Sequence, residues 1–161
     1  MSEFLSWMEQ SALGHAMRES GLWVYPIVNL LHILGIAALY GAVLTIDLRL
    51  LGFWRRVALG PLTAVATPIA VAGFLLAAPT GVGLLATKAS EYAGNPFLLI
   101  KFPAIAAGLL NVAVLNLLPA WRARHLRELS SPERRQLATA GAVSLVSWTT
   151  AIAAGRLIAY W

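Results

Sequence analysis

One histidine lies near the middle of a long apolar stretch, Leu22–Gly52, and it does not stand alone. Tyr25, Asn29, His32 and Gly35 recur at the three- and four-residue spacing of a single helix face. Lipid offers such a face no hydrogen-bond partner, so it is expected to turn inward. At ~1.5 Å of rise per helical residue, His32 lies roughly 15 Å below one membrane surface, level with Trp148 on a later apolar stretch. The same depth falls at Ala107-Gly108 and at Ala77–Pro79 on the two stretches between, small residues and a proline that predict room. Lys101 and Arg156 come about one helical turn from that surface. An imidazole beneath two cations suits a ligand with an apolar body and an anionic edge. Haem b fits, with His32 on the iron and propionates on Lys101 and Arg156, and so does a quinone whose carbonyl oxygen accepts from His32.

A plainer reading stands beside this one. An intramembrane histidine can bond Asn, Ser or Thr on a neighbouring helix, and Lys101 and Arg156 can snorkel to the headgroups. Low-spin haem generally takes two axial ligands, and the apolar stretches offer one histidine, which is also their one candidate metal ligand. His15 reaches the site only if the N-terminal segment folds over it, and His125 belongs to a loop at the other end. Asp47-Leu-Arg49, at the cytoplasmic end, is expected to form a structural ion pair, with the Arg-rich loop or with Arg55 and Arg56, that locks the inner face of the bundle. Asn111 shares a face with Lys101, Ala104 and Gly108 and reads as a bond between helices.

These residues are carried by four apolar stretches, expected at about 22–44, 61–86, 97–118 and 137–160. Each is long enough to cross the hydrocarbon, which takes ~20 residues. The chain is 59% hydrophobic and 12% charged, where a soluble domain has about a quarter charged, so little of its surface is built to face water. The fold class read from this pattern is all-α, an integral membrane up-down four-helix bundle forming a single domain over residues 1–161. Ser2–Met17 is expected to be a short amphipathic helix lying on the membrane surface, with Ser2 as its N-cap. Glu3 and Glu9 replace the basic start of a signal peptide. Pro79-Thr80-Gly81 is expected to kink or open the last third of the second span. Residues 88–96 read as an exposed loop, and Ser131-Pro-Glu reads as the start of a helix.

Arginines give the orientation. Arg49, Arg55 and Arg56 follow the first span, and Arg122, Arg124, Arg127, Arg134 and Arg135 follow the third. The loop after the second span sets Lys88 against Glu91. Both Arg-rich loops are therefore expected in the cytoplasm and both termini in the periplasm of a bacterial inner membrane. With no cysteine, the chain has no disulfide, thiolate metal site or thiol nucleophile. It has no phosphate-cradling glycine loop, HExxH or nucleophile elbow, and its basic segment lacks the fold signals of a nucleic-acid binder.

His32-x-x-Gly35 followed by Asp47-Leu-Arg-Leu-Leu-Gly52 resembles an uncharacterised family of small bacterial inner-membrane proteins. Asn95-Pro-Phe-x-x-x-Lys101 and Ser147-Trp148 through Gly155-Arg-Leu-Ile-Ala-Tyr160 extend the resemblance over nearly the whole chain. It implies four membrane helices and no settled activity. Some members place a histidine near the end of the third span, where this chain has Asn116, a departure that weakens a haem or metal reading. A looser likeness, to membrane domains of copper-resistance proteins, rests on the first-span histidine and glycine.

Three functions are open at this level. The first is a non-catalytic membrane subunit or anchor, in contact with the bilayer and with a protein partner or a second copy of itself. The second is electron transfer through haem b or a quinone. The third is an oligomeric transporter of a small ion or metal. Enzymatic activity is the weaker expectation, and nucleic acid is excluded as a partner.

Overall fold

The structure, a computed structural model, describes residues 2–161; the side chain of Ser2, expected as an N-cap, lies outside what it describes. The chain is all-α: 84% is helical, with no strand among the described residues. Seven helices follow in order: α1 Ser2–Gln10, α2 Ala12–Glu19, α3 Val24–Leu50, α4 Leu59–Thr87, α5 Pro96–Leu117, α6 Pro119–Ala123 and α7 Ser131–Leu157. Short 3-10 turns at Ala89–Tyr92 and Ile158–Tyr160 complete the chain. Helices α3, α4, α5 and α7 are each long and apolar enough to span a membrane, with mean hydropathy of 1.5 to 2.1. Only 17% to 39% of each apolar window is buried within the chain. The rest faces outward, as a lipid solvent requires. This is a four-helix, multi-pass membrane protein.

The chain forms two compact units. The first contains the residues through Leu39 together with Val71–Pro96, and the second contains Tyr40–Ala70 and Phe97–Trp161. Helices α3 and α4 contribute to both.

In the first unit, α3 and α4 run antiparallel at very close range. A Cβ at Gly35 would stand 2.7 Å from the Ala77 amide nitrogen and 2.9 Å from the Gly73 carbonyl oxygen. One at Gly73 would meet the backbone nitrogen of Leu39 and stand 2.7 Å from the Gly35 carbonyl oxygen. Glycine at both positions lets the backbones touch, which is how helices gain packing energy where burial from water contributes little. Helix α4 continues past Pro68 and Pro79 without the opening expected at Pro79-Thr80-Gly81. There the Thr80 hydroxyl donates to the Leu76 carbonyl at 2.6 Å, one turn back along the same helix.

The N-terminal segment differs from expectation. It is two helices, broken at Ser11, whose hydroxyl caps α2 by accepting from the Gly14 amide at 3.3 Å. It packs on protein as well as offering a face to lipid. Leu5 is buried, Gly14 sits against the Ala86 carbonyl, and the Met17 thioether sits over Gly83. The Glu9 carboxylate accepts from the amide and the hydroxyl of Ser90, and these bonds hold it below the usual carboxylate range. Residues 88–96 are mostly exposed, as expected, with Ala89 and Asn95 buried among them. Phe4 and Trp7 stack on the exposed face at 5.8 Å, suited to a membrane interface.

In the second unit, α3 and α7 are antiparallel, as are α5 and α7. Tyr40 meets Thr149 while Leu50 meets Gly141; Lys101 meets Gly155 while Asn111 meets Ala140. The core joins Ala42, Ile46 and Leu50 of α3, Ala66 of α4, Leu115 of α5, Ala120 and Trp121 of α6, and Leu137 of α7. Helix α3 runs six residues beyond the expected end of its span, and α7 begins at Ser131, the helix start expected there, six residues before its apolar span. That early start rests on a capping box one residue upstream of expectation. Ser130 and Glu133 bond reciprocally, and Arg127 grips the Glu133 carboxylate with two bonds, at 2.6 and 2.9 Å.

Candidate functional site

The sequence-derived site residues divide between the units. Tyr25, Asn29 and His32 belong to the first, and Asp47, Arg49, Lys101, Trp148 and Arg156 to the second.

His32 is half-buried and faces α4. Its Nδ1 lies 2.8 Å from the Ala77 carbonyl oxygen and 3.2 Å from the Thr80 hydroxyl. A carbonyl only accepts, so Nδ1 carries the proton and the ring's lone pair is on Nε2. Gly81 makes room for the ring, because a Cβ there would stand 2.7 Å from His32 Cε1. Immediately deeper, the Gly35–Gly73 contact brings α3 and α4 together. Of the expected inward stripe, only its deep end is covered. Gly35 is buried and His32 half-buried, while Asn29 is exposed and Tyr25 is 46% exposed.

In the second unit Trp148 is buried, and its indole lies on Gly108, where a Cβ would stand 2.9 Å from Cε2. The room expected beside Gly108 is therefore filled by the ring at the same depth. The side chain of Lys101 lies over Gly155, its Cε and Nζ 3.4 Å from where a Cβ would be. Arg156 is exposed and turns to Tyr160, donating to its hydroxyl at 2.6 Å with the guanidinium 5.0 Å from the ring centre. The Asn111 amide donates to the Ala140 carbonyl at 3.0 Å, the interhelical bond its position suggests.

Asp47 and Arg49 require a correction. Asp47 is absent from the ion pairs of the described residues, which join His15 to Glu19, Lys88 to Glu91 and Arg127 to Glu133. Residues two apart do not face each other on a helix. Arg49 turns to the α3–α4 connection and donates to the carbonyls of Val57 at 2.7 Å and Arg55 at 3.4 Å. It braces a tight turn in which Gly52 adopts φ +105°, a conformation glycine enters without strain. Asp47 turns the other way, toward α7, and is only 3% exposed. Sequence reasoning ranked it as architecture. The clue to its burial was its position two helical turns beyond Tyr40, facing the serines of α7.

Among the described residues no three His, Cys, Asp or Glu side chains gather to hold a metal ion. His15 is at the surface beside Glu19, at 3.5 Å. The basic loop is tied down: Arg124 stacks on Trp121 at 3.8 Å and donates to the Thr63 hydroxyl at 3.0 Å, and Arg122 donates to the Asn116 carbonyl. No family model, curated protein or solved structure matches the chain.

Proposed function

We propose that the chain is a non-catalytic subunit or anchor of a bacterial inner membrane, grouped with the uncharacterised family its motifs resemble. One observation carries this reading. Polar side chains within the apolar helices and at their ends are used to join structural elements: His32 to α4, Asn111 to α7, Arg156 to Tyr160, and Arg49 to the α3–α4 turn. Tyr25 and Asn29, both exposed, continue the His32 face of α3 toward its periplasmic end. The apolar outer faces of α3, α4, α5 and α7 serve lipid and a protein partner, which is a different polypeptide or a second copy.

The arginine distribution supports periplasmic termini. The absence of cysteine makes a clean test available. A cysteine placed at Ser6 is expected to react with a membrane-impermeant maleimide in spheroplasts, and one at Ser130 only after the membrane is opened. The reverse pattern would invert the orientation.

A second reading, haem b or quinone binding, draws on one observation. A histidine whose Nδ1–H is fixed by a carbonyl is oriented as metal-bound imidazoles are, with Nε2 as the ligating nitrogen. Purification from native membranes in mild detergent separates the readings. The subunit reading expects a stoichiometric complex that survives detergent exchange. A Soret band that shifts on reduction and disappears in His32→Ala would transfer the assignment to haem.

A further inference from the structure

Asp47 is a titratable side chain buried inside the second unit with no charged partner. It is 97% buried by its 3% exposure, and its Oδ2 has no hydrogen-bond partner. Gly141 brings α7 against it, for a Cβ there would stand 3.2 Å from the Asp47 carbonyl oxygen and 3.0 Å from Leu50 Cβ. Ser144, one turn further along α7 and itself buried, presents its hydroxyl to the carboxyl group.

No charged side chain bears on it. On its own helix, Arg49 is held by the Val57 and Arg55 carbonyls and the Tyr40 hydroxyl by Thr149. From α7 come Gly141 and Ser144, neither titratable. A dry carboxylate with no counter-charge and an oxygen left over is unfavourable, and protein interiors resolve that by supplying a positive partner. Ionisable groups within membrane helices are otherwise rare.

We propose that Asp47, with the Ser144 hydroxyl beside it, is a binding site for one exchangeable monovalent cation, a proton or an ion of sodium size. The site gives the chain a ligand independent of the subunit reading. It lies in the last turn of α3, next to the Arg49-braced connection, so loading and unloading occur near one membrane face.

The test uses full-length protein in its membranes and the apolar reagent dicyclohexylcarbodiimide. A carboxyl O–H adds across a C=N bond of the reagent: oxygen bonds to the central carbon and the proton passes to nitrogen. The acyl group then shifts from oxygen to nitrogen, leaving a stable N-acylurea with nothing oxidised or lost. Exposed acids hydrolyse at the first stage, because water reaches them. Peptide mass analysis is expected to find the adduct at Asp47 and to find none there in Asp47→Asn. If the site takes a proton, labelling falls about tenfold per pH unit once the proton leaves and ignores sodium. If it takes sodium, added sodium protects. Ser144→Ala is expected to shift the pH or sodium dependence severalfold while labelling persists. It keeps the test decisive if Asp47→Asn does not fold. No adduct at Asp47 at any pH, with or without sodium, would overturn the proposal, as would a dependence that Ser144→Ala leaves unmoved.

Discussion

Gly73→Ala is expected to destabilise the first unit by about 3 kcal/mol or more, the upper end for overpacking. The added methyl group meets the backbone of Leu39 and the carbonyl of Gly35. Neither can rotate aside as a side chain would, so α3 and α4 must separate. Separation stretches the His32–Ala77 bond of 2.8 Å, which joins the same pair of helices. Unfolding in mixed micelles with increasing dodecyl sulfate, followed by helicity, measures the loss. Gly41→Ala is the control, since nothing lies within 4 Å of a Cβ there. Replacing an exposed helical glycine by alanine is expected to be neutral or to stabilise by about 0.5–1 kcal/mol. Equal costs at Gly73 and Gly41 would show that backbone contact between α3 and α4 is not what holds this unit.

Trp148→Ala is expected to cost about 2–3 kcal/mol, less than the ~3–5 typical of a water-soluble core. The difference has a physical source. Lipid tails are as apolar as the interior, so the transfer contribution shrinks and the lost contacts against Gly108 remain. Gly108→Ala alone forces a methyl group to within 2.9 Å of the indole and is expected to cost about 1–3 kcal/mol. In the Trp148→Ala background the same substitution should cost almost nothing, because the ring it collides with is gone. The double-mutant cycle reads this coupling directly. Additive effects would mean that the indole does not occupy that face of α5.

The spans were legible because lipid imposes a simple rule on sequence: unbroken apolar runs of sufficient length, with arginine collected in two loops. The end of α3 was less so. Its last turn carries charge, and helix continues where hydropathy has already fallen. The clamp of α1 and α2 onto the segment after α4 was invisible because Glu9 and Ser90 are 81 positions apart. Depth arithmetic placed Trp148 level with Gly108, but counting residues does not reveal that a ring fills the space a glycine leaves. Pro79-Thr80-Gly81 reads as a kink or an opening, yet α4 continues as helix through it. Asp47 was paired with arginine because adjacent opposite charges suggest it. About 100° of rotation per helical residue sends Arg49 to the turn and Asp47 to α7.

These corrections share a direction. His32 and Trp148, expected beside open space, each pack against a neighbouring helix, and Asp47, expected in an ion pair, is left with an unpaired oxygen. The joints at His32 and Gly73 hold α3 to α4 in the first unit, and that at Asn111 holds α5 to α7 in the second.

The mass of the intact particle released from native membranes in mild detergent tests this most directly. A value equal to this polypeptide plus an integral number of partner chains, unchanged in composition by His32→Ala, is the result expected of a membrane subunit. A single bare chain, or a chain carrying a small-molecule mass that His32→Ala removes, would contradict it.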